Sequence, residues 1–176
     1  MPDPLSLVLP FVRAWMDELH ETNAWRAQPT SSFGFDRLAQ YYPAALLDEA
    51  RVVITDEIPF PPVGEAGLDE MMPTSETMID GITFGDMYFI REHRAEDEAL
   101  HFHELVHVLQ WRLLGPDAFL LRYATEWLSV GYREAPLEVM AYDLQRAFES
   151  GRETFNVPDR VWHAIGADGS GQQNTG

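Results

Sequence analysis

The sequence predicts an α+β domain, mainly helical with a small sheet, and three observations carry that expectation. Residues 95–114, AEDEALHFHELVHVLQWRLL, run without Gly or Pro and are apolar around most of a helical circumference. Residues 51–58 and 81–91 are rich in β-branched or aromatic side chains and alternate as half-buried strands do. Residues 116–130 and 136–150 each open on a Pro and stop at a Gly, a pattern of helix starts and ends. With 176 residues, 45% of them hydrophobic and five of them Trp, the chain can bury one sizeable core.

The elements follow in order. Residues 4–21 form an amphipathic first helix, and 35–50 a second that Pro43 kinks or divides. The strand 51–58 is ended by the PFPP at 59–62, and residues 59–80 hold most of the loop signals, so they read as a loop or lid. The segment 81–91, GITFGDMYFIR, is a second strand that passes or turns at Gly85-Asp86. The long helix at 95–114 ends at Gly115-Pro116, and the two Pro-opened helices come next. A short helical turn is expected at 158–164. The last residues, GADGSGQQNTG, have too little apolar content to fold, so a single domain over 1–165 is followed by a disordered tail at 166–176.

Composition excludes several chemistries. Cysteine is absent, which removes disulfides, thiolate nucleophiles and every Cys-containing zinc site. No Ser sits in a GxSxG context. Twelve basic residues against 29 acidic ones leave no patch for phosphate backbones, so no nucleic-acid partner is expected. The net charge of −17 is foremost a matter of solubility. No apolar run approaches a membrane span, and the N-terminus has no basic region and no small-residue cleavage site; a cytoplasmic protein is expected.

Chemistry is stated at one place, His103-Glu104-Leu105-Val106-His107. Histidines four apart lie about 40° from each other on a helix, so both imidazoles reach one metal ion, with Glu104 beside them as a general base. Two His and a Glu in so apolar a helix are costly unless paired, hydrogen-bonded or metal-bound. His101, about 160° away from the pair, is not a ligand, and neither is His93. Glu98 and His101 repeat the ExxH spacing, but both ExxH pairs share one helix, whereas di-iron bundles place them on facing helices.

A catalytic zinc site needs a third protein ligand. The candidates are Glu126, Glu134, Glu138, Asp143 and His163. Glu138 is the choice, because it falls in the first turn of the helix that Pro136 begins, where backbone fixes its direction and the helix terminus favours an anion. The competing assignment for Glu138 is an ordinary acid in the first turn of a helix.

HELVH followed by Glu138 in the string PLEVMAYD resembles the gluzincin type of zinc metallopeptidase. The strand GITFGDMYFI shortly before HELVHVLQ is similar to small bacterial HExxH domains classed as domain of unknown function 4157 and its relatives. The resemblance covers residues 51–148 and makes 51–150 a zincin-like catalytic core, with 1–50 a helical N-terminal part outside it. It implies a Zn2+ cofactor on His103, His107 and Glu138, and an edge strand at 82–90 that lies over the active-site helix and pairs with a peptide or protein substrate. The sequence departs from the thermolysin-like pattern in one respect: four residues beyond Glu138 stands Tyr142, and Asp143 is rotated about 140° from Glu138. Tyr142 or Gln145 can hold a histidine instead.

The expected activity is hydrolysis of peptide bonds by a zinc-activated water, with Glu104 taking the proton and passing it to the leaving amine. Tyr123, Tyr132, Arg133 and His163 are candidates for the oxyanion donor, and Tyr132, between two helices, is preferred. The Met-rich and acidic segment 64–80 is expected over the cleft. The alternative function is a non-catalytic, metal-supported domain that binds another protein. Glu104 favours the enzyme, since a structural site is closed by four protein ligands and has no use for a base.

Overall fold

A computed structural model describes residues 4–66 and 79–170. The first helix, α1, is Pro4–Asn23, and β1 is the two-residue strand Gln28–Pro29. The helical segment expected over 35–50, with Pro43 kinking or dividing it, is divided into a 3-10 turn at Leu38–Gln40 and a short helix α2, Ala44–Glu49. Pro43 is the divider: it stands at the α2 N-cap with extended backbone (ψ 142°), where its ring disfavours a helical residue before it.

Strand β2, Arg51–Thr55, stops short of the expected end at 58. The expected strand at 81–91 is a hairpin of β3, Gly81–Phe84, and β4, Met87–Arg91. Phe84 pairs with Met87 across the two-residue turn, and Gly85 has φ +66°, a turn conformation that suits Gly. The sheet order is β1-β2-β4-β3, with β2 and β4 parallel and the outer pairings antiparallel.

Four helices complete the chain: α3, Glu98–Leu114; α4, Pro116–Val130; α5, Pro136–Ser150; and α6, Val157–Ser170. The last is longer than the turn expected at 158–164 and carries helix past residue 166, where a tail was expected. Residues 171–176 of that tail lie outside the described residues, as do 67–78, on which most of the expected lid falls.

Helix α3 runs through the centre. Asp97 caps it by accepting from the Ala99 and Leu100 N–H groups at 3.0 and 3.2 Å. Phe102, Leu105, Val106 and Val108 are completely buried, each contributing roughly 1.5–3 kcal/mol by leaving water. The period-2 alternation of the strands explains how the sheet meets the helices. Val52, Tyr88 and Ile90 pack with α2 and α3, while Val53, Met87 and Phe89 pack with Val12 and Met16 of α1.

Both sheet edges are blunted. The β1 edge is two residues long and includes Pro29, which has no N–H. On the β3 edge, Trp111 Nε1 donates to the outward Thr83 carbonyl at 3.1 Å, and at the hairpin turn His20 Nε2 donates to the Phe84 carbonyl at 2.8 Å. Among the described residues no helix is long and apolar enough to cross a membrane.

Candidate metal centre

His103 and His107 project from one face of α3 toward the first turn of α5, which carries Glu138. The three side chains are nearly inaccessible, at 3%, 5% and 2%. Glu138 Oε2 lies 3.3 Å from His103 Nε2, Glu138 Oε1 lies 3.3 Å from His107 Nε2, and the two Nε2 atoms are 3.1 Å apart. One ligand atom from each residue falls within 4.8 Å of the others, so the three can hold a metal ion.

Hydrogen bonds behind the ligands fix which ring nitrogen faces inward. Gln110 Nε2 donates to the Leu137 carbonyl at 3.0 Å, which leaves Gln110 Oε1 to accept from His107 Nδ1 at 2.7 Å. Gln145 Nε2 donates to Glu149 at 3.4 Å, and its Oε1 accepts from His103 Nδ1 at 3.1 Å. Both imidazoles therefore spend Nδ1 outward and turn Nε2 inward, toward Glu138 and toward each other. Among the described residues none makes a hydrogen bond to the buried Glu138 Oε2, although His103 Nε2 stands 3.3 Å away.

This donor set fits a cation: N, N and O ligands converge, their second atoms are held, and an orphaned oxygen awaits a partner. The titration behaviour expresses the same demand. Burial disfavours the His107 imidazolium, yet the Glu138 carboxylate outweighs it and raises His107 to about 9. Burial likewise opposes the Glu138 anion, and His107 and His103 overcome it and hold the carboxyl well below its ordinary range.

Glu104 lies beneath β3 and lines the same cavity as His107 and Glu138. Its Oε2 accepts from the Thr83 hydroxyl at 2.7 Å. Burial pushes this carboxyl up, against the pull of His103, His107 and Thr83. A cavity of about 100 Å³ opens beside Glu104, His107 and Glu138, and its walls are apolar, among them Val8 and Val12 of α1 and Phe119 and Trp127 of α4. Helix α1, outside the stretch that carries the resemblance, thus supplies one wall.

The other sequence-based candidates are placed as follows. Tyr123 donates to Glu138 Oε1 at 2.6 Å. Tyr132 lines the cavity in a 3-10 turn, its hydroxyl 3.3 Å from that of Tyr142, and the Tyr142 ring packs on His103 at 4.5 Å between centroids. Glu126 accepts from the Leu137 N–H at 2.9 Å, capping α5 from α4. Glu134, Arg133 and His163 are exposed, and exposed Asp143 pairs with Arg146. Of the expected substrate edge at 82–90, residues 87–90 belong to β4 inside the sheet, and on β3 the outward Thr83 carbonyl is already engaged.

Sequence reasoning anticipated Gln145 and missed Gln110, Thr83 and Gly81. Gln110 stands three residues past His107, a spacing at which helical side chains meet, so its role had a visible signal. Comparison of the chain with family models, with curated proteins and with solved structures found no significant match.

Proposed function

We propose that the protein is a zinc-dependent hydrolase of peptide bonds, with His103, His107 and Glu138 as metal ligands and Glu104 as general base. The observation that carries this reading is the convergence of two Nε2 atoms and a carboxylate, with a second, non-ligating carboxylate lining the same cavity. A zinc ion there would supply the Lewis acidity that lets a water lose its proton near neutral pH. Glu104 takes that proton and later gives it to the leaving amine. Tyr132 donates to the carbonyl oxygen as negative charge develops on it; Tyr123 is the lesser choice, because its proton is committed to Glu138.

With the outward Thr83 carbonyl of β3 engaged, substrate orientation falls to the cavity, whose apolar walls suit a side chain of Leu or Phe character next to the scissile bond. The test is cleavage of a mixed peptide library by zinc-loaded protein. Turnover should fall roughly 100- to 10,000-fold in Glu104→Gln with zinc still bound. Cleavage that survives both chelation and Glu104→Gln would sink the reading, as would a fourth protein ligand on the metal.

A further inference from the structure

Strand β3 presents alternate residues to α3, and the two that stand over Glu104 are Gly81 and Thr83. They treat its two carboxylate oxygens differently. Thr83 Oγ1 lies 2.7 Å from Oε2 and 3.2 Å from the Glu104 carbonyl, so one hydroxyl bridges the side chain and the backbone of the same residue. At Gly81 a Cβ would come within 2.4 Å of Oε1 and 2.9 Å of Cδ, so the carboxylate fills the space a side chain would need. Thr83 is itself fixed, its carbonyl accepting from Trp111 Nε1 at 3.1 Å. Trp111 is on the same helix as Glu104, so strand, base and helix form a closed set of contacts.

From this geometry we infer that Gly81 and Thr83 together are a positioning device for Glu104: the hydroxyl holds Oε2, and the missing side chain makes the room that Oε1 occupies against the strand. The inference rests on the reading of Glu104 as base. A carboxylate buried in an apolar helix has no solvent to hold it, and one donor on one oxygen leaves the other free to work on a substrate. Among the described residues, the side-chain hydrogen bonds of Thr83 and the atoms closest to a Cβ at Gly81 involve Glu104 and no metal ligand, so metal affinity and base placement are separable.

Acetohydroxamic acid is a suitable probe, because it chelates a metal with loss of its hydroxyl proton and a carboxylate beside the metal takes that proton. Its affinity for zinc-loaded protein, measured by calorimetry, should fall in Glu104→Gln. It should fall roughly 10- to 100-fold in Thr83→Val, the loss expected for one hydrogen bond to a charged group, and recover in Thr83→Ser. Gly81→Ala, which displaces Oε1 without altering Thr83, should lower it likewise, and all four variants should bind zinc as the parent does. Unchanged hydroxamate affinity in Thr83→Val and Gly81→Ala, with Glu104→Gln still impaired, overturns the positioning role and leaves the hydrolase reading standing. Loss of zinc affinity in parallel with hydroxamate affinity also overturns it, as the effect is then structural. No effect of Glu104→Gln removes the base, and the inference with it.

Discussion

Helix α3 buries histidines on two sides, and the sides differ in how their polar atoms end. His101 is satisfied throughout: its Nε2 donates to the Ala95 carbonyl at 2.9 Å, its Nδ1 accepts from the Tyr88 hydroxyl at 2.9 Å, and Phe33 and Phe35 pack on its ring. Tyr88 in turn meets the Thr30 hydroxyl at 2.9 Å. His103 and His107 are equally buried, but while their Nδ1 atoms are held by glutamines, their Nε2 atoms converge on each other at 3.1 Å and on Glu138 at 3.3 Å. Burial alone therefore does not distinguish a core histidine from a ligand; the destination of the second nitrogen does.

Removing a ligand should break the comparison with the largest effect after loss of the base. Zinc at a thousand times its dissociation constant should stabilise the parent by about 4 kcal/mol, and this gain, read as a zinc-induced rise in thermal midpoint, should vanish in Glu138→Ala and persist in His101→Gln. Equal zinc stabilisation in Glu138→Ala would put the metal elsewhere. A smaller effect belongs to the residues behind the ligands. Gln145→Ala and Gln110→Ala should each weaken zinc binding roughly 10- to 100-fold without abolishing it. Competition with a chromogenic chelator measures this, and unchanged affinity would mean the glutamines do not hold the rings for metal.

The smallest effect sharpens the contrast from the other side. Burial depresses His101 to about 4, against the upward pull of the Ala95 carbonyl and Asp97. A depressed histidine favours the neutral folded form, so its contribution is present above about 6.5 and is lost as pH falls from there through about 4. The unfolding free energy of the parent, from urea titrations, should decline across that window by up to about 3 kcal/mol at its acid end, and that of His101→Gln should decline less. Parallel pH profiles would show that His101 does not titrate with unfolding.

The metal ligands were legible because each sits where backbone regularity fixes direction. His103 and His107 share a helix face by spacing alone, and Pro136 sets the start of α5 so that Glu138 lands in its first turn. The expected Gln145 contact followed from the same register. Gly81 and Thr83 were hidden, since their role depends on how a strand lies across a helix, which no local period encodes. The division at Pro43 was one of the two expected outcomes, but ahead of it only a 3-10 turn forms, and α6 outran its prediction although Gly166 is a poor helix former. Val157 and Val161, fully buried in the main core, anchor that helix by packing that propensity does not see.

The closed margins of the sheet bear on how copies of the chain meet. A strand arriving from a second molecule at β3 would have to compete with an indole for the Thr83 carbonyl, and at β1 it would meet a proline with no hydrogen to offer. Growth of the sheet from molecule to molecule is thereby disfavoured at both ends, so crowded or concentrated protein is guarded against the edge-to-edge pairing that seeds fibrils.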